Sequence, residues 1–305
     1  MRTFAPGKLV LTGAYAVLEG APAIVVAVSR GAYADSSRTA LSATPEVAAA
    51  LGERTAPHVD ASSMFVGARK LGLGASAAIL VASVAAHEAD AGADLASPSV
   101  RERLFAVAQG AHAHAQGGGS GVDVATSVHG GVIQYVMGQP VKRVALPEGL
   151  HVHVFACGTS ARTSELRAEV DRLAHTNAGA HRACMDDLVV IANDSARAIE
   201  AGGATAFVEG LRRTARALAR LGEAAGVGIV PAGFDALEAL AASEDASLSV
   251  SGAGGGDVAV YVGPSAPSPT FLERAHALGL FSLDLSLDNK GVRLAPDATA
   301  FAAAS

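Results

Sequence analysis

The sequence lacks the features of a secreted or membrane-embedded protein. Its two cysteines, Cys157 and Cys184, lie far apart in 305 residues and form no CxxC pair. We therefore expect reduced thiols and no disulfide, as in a cytosolic protein. No stretch approaches the roughly 18 apolar residues of a membrane span, and the first residues contain no apolar segment typical of a signal peptide. These absences predict a cytoplasmic location and no membrane partner.

A concentrated patch of basic charge is also lacking. The 23 lysines and arginines are scattered and are outnumbered by 29 acidic residues, which gives a formal net charge of -6. A nucleic-acid-binding domain needs basic residues clustered on one face. The densest basic group has a helical spacing that is typical of a solvated face, and it consists of Arg212, Arg213, Arg216 and Arg220. We expect no nucleic-acid partner.

Zinc ligands in a suitable arrangement are missing as well. His112 and His114 would point apart on a helix, whereas His151 and His153 would share one face of a strand but have no third ligand nearby. A zinc site is therefore not expected.

Apolar residues are abundant, and they occur in helical and strand patterns in both halves of the chain. Half of the sequence is hydrophobic, so a large core can form in one large or two ordinary domains. The turn at residues 147–149 is the best candidate boundary. We predict an α+β protein with two domains, residues 1–149 and 150–305.

The hydrophobic patterns place the main elements. Strands are predicted at residues 8–12, 23–29, 64–66, 131–136, 141–146, 151–156, 258–262, 281–287 and 291–294. Helices are predicted at residues 45–51, 77–86, 99–115, from 165 onward, 180–200, 205–221, after residue 233 through 242, and at 270–278. Ser99, followed three residues later by Glu102, predicts a capping box at the start of the third of these helices.

Residues 69–78 form the most informative stretch. Two close glycines, Gly72 and Gly74, lead directly into the apolar helical run at 77–86. Glycine lets the backbone approach a ligand, and a helix start offers unpaired N–H groups and a positive dipole end. The stretch therefore predicts a phosphate-binding site. A glycine turn before a core helix would give the same pattern.

Of two common phosphate loops, one does not match this stretch and the other matches it in spacing. The Walker loop has Gly-Lys-Ser/Thr at the helix start, whereas here Ala75 and Ser76 follow Gly74 and the lysine, Lys70, lies upstream. Residues 72–77 do fit the permissive dinucleotide pattern, with acids near the expected offset at Asp90 and Asp94. A lone match of this kind is a weak signal, because two further glycine clusters, at 117–121 and 252–256, do not belong to a single dinucleotide-binding unit.

Two charged residues are candidates for catalysis. Lys8 follows a proline and a glycine, so its side chain leaves a constrained backbone near the start of a strand; a surface lysine is the alternative. Asp123 follows flexible glycines and precedes an apolar run, where a carboxylate can be a catalytic acid or simply a helix cap.

Two segments in the second half offer groups for an anionic ligand. Residues 158–164 form a polar loop in which Arg162 could bind phosphate through two hydrogen bonds, while Ser164 could equally cap the next helix. Residues 254–256 are consecutive glycines that would let the backbone close on a ligand.

Three motifs, in order, resemble those of the GHMP small-molecule kinases. They are residues 5–20, residues 72–78 and residues 251–257, and the resemblance extends from Pro6 to near Arg293. It implies a two-domain GHMP kinase fold with an N-terminal domain like domain 2 of ribosomal protein S5 and a ferredoxin-like C-terminal domain. Within this superfamily, Lys8 with residues 15–19, His112, residues 117–125 and residues 158–166 look most like the phosphomevalonate kinases.

The resemblance implies a reaction and a set of residues. The chain would transfer the γ-phosphoryl group of ATP to 5-phosphomevalonate, with ATP and Mg²⁺ as cofactors, a small phosphorylated molecule as partner, and a monomeric or homodimeric state. Lys8 and Asp123 would be catalytic, and Ser76 would bind the metal. The nucleotide would be bound by Lys70, Gly72, Leu73, Gly74, Ala75, Ser76 and Ala77. The substrate would be bound by Tyr15, Glu19, Ser120, Gly121, Ser160, Arg162, Ser164, Gly254, Gly255, Gly256 and Asp257.

Two departures matter. The phosphomevalonate kinase pattern has Glu where this chain has Ala14 and Ser where it has Ala75. Mevalonate kinases place a metal-binding Glu near the position of His112, and its absence here weighs against mevalonate kinase. The chain could instead phosphorylate mevalonate or another small alcohol, or it could be an ATP-binding sensor without catalysis. Retention of Lys8, Ser76 and Asp123 argues against the sensor.

Overall fold

A computed structural model of the chain describes residues 1–158 and 163–296. The described chain divides into two compact units. The first contains residues 1–8, 26–131 and 286–296, and the second contains residues 9–25 and 132–285. Each unit is assembled from separated segments. The predicted division into domains at residue 149 follows the order of the chain and stays a prediction.

The structure is built from mixed helices and strands. The strands are β1 (Arg2–Thr12), β2 (Ala23–Thr39), β3 (Pro57–Asp60), β4 (Phe65–Val66), β5 (Arg69–Lys70), β6 (Val132–Tyr135), β7 (Lys142–Val144), β8 (His151–Ala156), β9 (Ser247–Val250), β10 (Val258–Gly263), β11 (Phe281–Leu283) and β12 (Arg293–Leu294). The α-helices are α1 (Pro45–Leu51), α2 (Ala75–Asp90), α3 (Pro98–Gln116), α4 (Val122–His129), α5 (Thr163–Thr176), α6 (Ala178–Glu200), α7 (Ala204–Ala225), α8 (Phe234–Ser243) and α9 (Pro269–Ala277). Short 3-10 helices span Ala16–Glu19 and Ser62–Met64.

The first unit pairs the two ends of the described chain. β12 is antiparallel to the start of β1, with Thr3 opposite Leu294, and β3 pairs with the far end of β2. The hairpin of β4 and β5 then leads to the glycines before α2. The helix α2 is contacted by α1, α3 and α4, and the side chains on all its faces are largely buried, as the apolar run predicted.

The second unit contains an antiparallel sheet in the order β11, β8, β10, β9. β10 pairs with strands on both sides, with Val258 opposite Ala156 of β8 and Ala259 opposite Val250 of β9. Helices α6 and α7 pack on each other, and α7 and α8 contact β9. β6 and β7 are antiparallel neighbours, with Val132 opposite Val144.

Most of the predicted elements are confirmed, two local predictions are wrong, and the strands β3, β5 and β9 were missed. The capping box at Ser99 does not form, because Pro98 occupies the first helical turn and shifts the N-cap to Ser97, whose hydroxyl lies 3.1 Å from that of Ser99. The strand predicted at 281–287 ends at Leu283. β9 was missed because two of its four residues are serines, although both are buried.

Among residues 1–158 and 163–296, no helix is long and apolar enough to cross a bilayer. Both cysteines are free; Cys157 is buried and Cys184 is partly exposed.

Candidate active site

Lys8 lies in the interior of the first unit. It is 7% exposed, although a surface lysine was the simpler expectation. Its backbone N–H donates to the Leu73 carbonyl at 2.9 Å, and its Nζ lies 3.4 Å from the Gly72 carbonyl. The neighbouring Gly7 has no room for a side chain, since a Cβ there would lie 2.7 Å from the Leu73 carbonyl. β1 and the loop at residues 72–74, here called the 72–74 loop, are therefore in direct contact.

Asp123 is the ionic partner of Lys8. Its Oδ1 lies 3.6 Å from Lys8 Nζ, and its side chain is 31% exposed while that of Lys8 is 9% exposed. Asp123 stands in the first turn of α4, where the positive end of the helix dipole favours a negative charge. The N-cap is Gly121, which offers no side chain, so Asp123 is not the capping residue. The pair leaves carboxylate oxygen accessible beside a buried ammonium group.

Gly74 is where the 72–74 loop approaches this ion pair. Its φ of +79° lies in the left-handed region that side chains rarely adopt. A Cβ at this position would lie 3.1 Å from Lys8 Cγ and 3.4 Å from Asp123 Oδ2. Glycine is therefore required here both by the backbone conformation and by the close packing of the loop on Lys8 and Asp123.

Ser76, in the first turn of α2, belongs to a network of polar side chains. Ser76 Oγ lies 3.4 Å from His112 Nε2 and 3.5 Å from Gln116 Nε2, both on α3. The Gln116 amide also donates to Glu46 Oε1 at 3.1 Å. Glu46 belongs to α1 and is 8% exposed. The sequence drew attention to His112 and Ser76, but Glu46 and Gln116 carry no motif and were missed.

Glu46 is ionised in this environment. Burial on its own would raise the pKa of its carboxyl group. Hydrogen bonds from its own backbone N–H, from Gln116 and from Thr44 outweigh burial, and the nearby charge of His112 acts in the same direction. The pKa is therefore held below its ordinary value, and a buried negative charge stands one side chain away from Ser76.

A second group of predicted residues lies in the second unit, around Tyr15. Tyr15 has φ 61° and ψ -51°, and the N–H of Ala16 donates to the Ala14 carbonyl at 2.7 Å. This is a γ-turn with positive φ at its centre, which is rare and strained by about 1–3 kcal/mol for a non-glycine residue. The Tyr15 hydroxyl donates to the Ala253 carbonyl at 2.9 Å. Burial, with a smaller contribution from the charge of Asp171, raises the pKa of Tyr15, so the hydroxyl keeps its proton.

The loop at residues 252–256, here called the 252–256 loop, is fixed at two further points. Ser251 Oγ accepts a hydrogen bond from the Val10 N–H at 2.9 Å, and the Gly255 N–H donates to the Ile229 carbonyl at 2.8 Å. Gly254 has φ +84°, and a Cβ there would lie 2.2 Å from the Ile229 carbonyl. This position therefore admits only glycine.

The remaining predicted residues are placed as follows. Lys70, Glu19 and Ser164 are exposed, and Ser164 lies in the first turn of α5 rather than at its cap. Ser120, Gly121 and Asp257 are partly exposed, and Ser120 Oγ accepts from the Val122 N–H. Ser160 and Arg162 lie outside the described residues.

The oxygen ligands near the 72–74 loop are compatible with magnesium bound mainly through phosphate. In residues 1–158 and 163–296, no group of three or more His, Cys, Asp or Glu side chains is placed to hold a metal ion. Magnesium does not need such a group, since it commonly takes one or two protein oxygens and completes its shell with phosphates and water. The Ser76 hydroxyl and the Asp123 carboxylate are hard oxygen ligands of this kind.

Comparisons with known proteins give a consistent result. No family model matches the chain. It is 29% identical to a phosphomevalonate kinase of Streptomyces sp. over 84% of this chain and 88% of that protein. It is 30% identical to a mevalonate kinase of Aeropyrum pernix over 67% of this chain and 71% of that protein.

A solved structure shares the fold at lower identity. The phosphomevalonate kinase of Streptococcus pneumoniae, in complex with phosphomevalonate and AMPPNP, superposes with a TM-score of 0.76. The alignment has 19% identity and covers 94% of this chain and 99% of that one. At this identity the likeness shows a common fold.

Proposed function

Because this chain belongs to the GHMP kinase superfamily, we propose that it transfers the γ-phosphoryl group of ATP to 5-phosphomevalonate, giving 5-diphosphomevalonate and ADP. The family makes the protein a phosphotransferase. The observation that carries the proposal is the Lys8–Asp123 ion pair packed against the 72–74 loop. The 29% identity to the Streptomyces phosphomevalonate kinase, over 84% of this chain, supports the choice of acceptor.

Lys8 supplies positive charge for the transfer. Catalysis of phosphoryl transfer depends mostly on positioning and on neutralising charge that develops on the transferred group. Backbone N–H groups at the start of α2 would hold the nucleotide phosphates, as helix N-termini do. Ser76 would be a protein ligand of magnesium, which would supply positive charge against the nucleotide phosphates.

Asp123 orients Lys8 in this proposal. The acceptor is a phosphate whose second pKa is about 6, so it is already largely deprotonated at neutral pH and needs no strong base. An alcohol acceptor would instead need a proton removed. The 3.6 Å separation of Asp123 Oδ1 and Lys8 Nζ suits electrostatic orientation of the ammonium group.

Mevalonate is the second candidate acceptor, because the Aeropyrum relative is a mevalonate kinase. Release of ADP should be measured with 5-phosphomevalonate, mevalonate and homoserine under identical conditions. We expect kcat/KM for 5-phosphomevalonate to exceed that for mevalonate by a wide margin. Comparable values for both would contradict the proposed acceptor, and turnover of homoserine alone would contradict the pathway.

The nucleotide is tested separately by thermal unfolding. A ligand that binds only the folded state raises the unfolding temperature, and the stabilisation grows with the logarithm of its concentration relative to Kd. ATP with magnesium should stabilise the protein and NAD should not. We also propose that the enzyme works in the cytoplasm, as its two free cysteines suggest. A monomeric or homodimeric state remains a prediction.

A further inference from the structure

Ser127 is a fully buried residue of α4, in the first unit. Its hydroxyl donates to the Pro6 carbonyl of β1 at 2.7 Å. This is a short hydrogen bond, and it pairs two groups that are both out of contact with water. Ser127 lies four residues after Asp123, so the two side chains stand on the same face of the helix. The face of α4 that carries Asp123 is therefore also bonded to β1.

The two contacts between α4 and β1 have matching spacings. On β1, Pro6 precedes Lys8 by two residues, which span about 6.6 Å in a strand. On α4, Ser127 follows Asp123 by four residues, which span about 6 Å in a helix. The hydrogen bond and the ion pair therefore form two neighbouring links between elements that run in opposite directions. A shift of α4 along β1 would alter both links together.

The strand side of these links is tightly held. The proline restricts its own φ. A Cβ at Gly7 would lie 2.7 Å from the Leu73 carbonyl, and the Lys8 N–H donates to the same carbonyl at 2.9 Å. Residues 6–8 therefore have little freedom to follow α4, and the position of the helix decides how far the carboxylate lies from the ammonium group.

The hydroxyl of Ser127 differs from other buried hydroxyl groups of the helices. Thr126, Ser195 and Thr214 are buried, and each donates to the carbonyl four residues earlier in its own helix. Such a bond is a common choice of serine and threonine inside a helix. Ser127 instead donates to another element. Its hydroxyl therefore serves the placement of α4 and not the helix itself.

We propose that Ser127 is a positioning residue: its hydrogen bond to the Pro6 carbonyl holds α4 in register with β1 and thereby sets the separation of Asp123 from Lys8. Because its side chain is fully buried, its effect passes through the position of Asp123. The consequence for catalysis rests on the proposed function, whereas the consequence for the ion pair does not.

The test compares Ser127→Ala with Thr126→Val. Each change removes one fully buried hydroxyl from α4, but the Thr126 hydroxyl bonds within the helix, to the Val122 carbonyl at 2.7 Å. Crystal structures of the parent and of both variants are determined first, without any ligand. In Ser127→Ala we expect the Lys8 and Asp123 side chains to separate beyond the limit of about 4 Å for an ion pair. In Thr126→Val their distance should stay near 3.6 Å.

Kinetics with 5-phosphomevalonate form the second measurement, at a temperature where urea unfolding shows every variant to be folded. Misplacing a catalytic group by about 1 Å can cost up to about 10²-fold in rate. We expect kcat to fall about tenfold in Ser127→Ala, with KM and the affinity for ATP within about twofold of the parent. Thr126→Val should keep kcat within about twofold.

A double variant separates positioning from a general loss of structure. If Ser127 acts through Asp123, adding Ser127→Ala to Asp123→Asn should lower kcat by less than about twofold, because the carboxylate to be positioned is already gone. A loss as large as in the parent background would overturn the inference. An unchanged ion-pair distance in Ser127→Ala, or equal changes in Ser127→Ala and Thr126→Val, would overturn it as well. A widened ion pair together with an inactive parent would instead overturn the proposed function and leave the positioning role intact.

Discussion

The 72–74 loop and the 252–256 loop are both rich in glycine, yet they are held by different kinds of groups. The first packs on a buried ammonium group and its carboxylate partner, Lys8 and Asp123. The second is held by two hydroxyl groups and a backbone carbonyl, all of them neutral. The first loop therefore stands beside fixed charge, and the second presents oriented backbone donors. Substitutions near the first loop should lower the reaction rate strongly, because they change the charge beside it. Substitutions near the second loop should lower the rate less, because they change only the orientation of backbone donors.

The largest effect is expected at Lys8. Lys8→Met removes the positive charge beside the 72–74 loop and keeps much of the apolar stem. The kcat should fall on the order of 10²- to 10³-fold, as for one lost electrostatic donor. Lys142→Met is the control, because Lys142 is 56% exposed and pairs only with Glu200 among the described residues. A decrease in kcat of less than fivefold for Lys8→Met would mean that the phosphoryl group is not transferred beside Lys8. The two loops would then not differ in the way proposed.

Asp123→Asn should have an effect no larger than that of Lys8→Met. The amide keeps the size of the side chain and part of its hydrogen bonding, but it orients Lys8 less strongly. If the two residues act as a unit, the double variant should be little slower than Lys8→Met alone, since coupled catalytic groups are strongly non-additive.

Single-turnover rates of these three variants between pH 6 and 9 provide the measurement. Multiplicative losses in the double variant would show that the two residues act separately. A steep recovery of Asp123→Asn with rising pH would identify Asp123 as a proton acceptor. Either result would contradict the orienting role of Asp123, and the pH result would replace it by general base catalysis.

Gly74→Ala should have an intermediate effect. The new Cβ would press on Lys8 Cγ at 3.1 Å and on Asp123 Oδ2 at 3.4 Å, in a backbone conformation that alanine tolerates poorly. We expect kcat/KM to fall about tenfold, which corresponds to roughly 1.4 kcal/mol in the barrier. Gly92→Ala is a close control: its φ is +82°, but a Cβ there would meet no atom within 4 Å. Equal kinetic losses in both would mean that backbone strain alone, and not contact with the ion pair, is responsible.

The residues beside the first loop could be identified from the sequence, because each of them belongs to a motif. Lys8, Ser76 and Asp123 are found by motif, and the structure brings Lys8 and Asp123 together. The α+β fold is confirmed, because apolar periodicity is a local signal. The roles of the residues stay predictions.

The supporting contacts could not be predicted in the same way. Tyrosine rarely adopts a positive φ, so no sequence pattern indicates the γ-turn at Tyr15 or its contact with Ala253, 238 residues later. Glu46 similarly lies 70 residues before Gln116 in the chain. Such contacts arise from tertiary packing, which periodicity and motif spacing do not record.

The smallest effect on kcat is expected at Glu244. A change at this residue tests the stability of the second unit separately from the 252–256 loop. The carboxylate accepts hydrogen bonds from the Tyr261 hydroxyl at 2.8 Å and from the Ser268 hydroxyl at 2.6 Å. Burial would raise the pKa of Glu244, but these bonds and one from the Ser268 N–H outweigh burial and lower it. A carboxyl group whose pKa is lowered on folding stabilises the folded state above its unfolded pKa, and this contribution is lost as the pH falls through the folded value.

Glu244→Gln should therefore reduce the free energy of unfolding by about 1 kcal/mol at pH 7, as for hydrogen bonds that lose a charged acceptor. The difference from the parent should shrink steadily as the pH falls below the ordinary carboxyl range, because both proteins are then neutral at this position. Urea unfolding between pH 3 and 7 measures this directly, with Glu223→Gln at an exposed position as control. Since Glu244 holds neither loop, kcat should stay within about twofold of the parent. A difference in unfolding free energy that is independent of pH would show that packing, and not the ionised carboxylate, stabilises this region. A large loss of kcat would show that the 252–256 loop depends on more of the second unit than the hydroxyl groups of Tyr15 and Ser251.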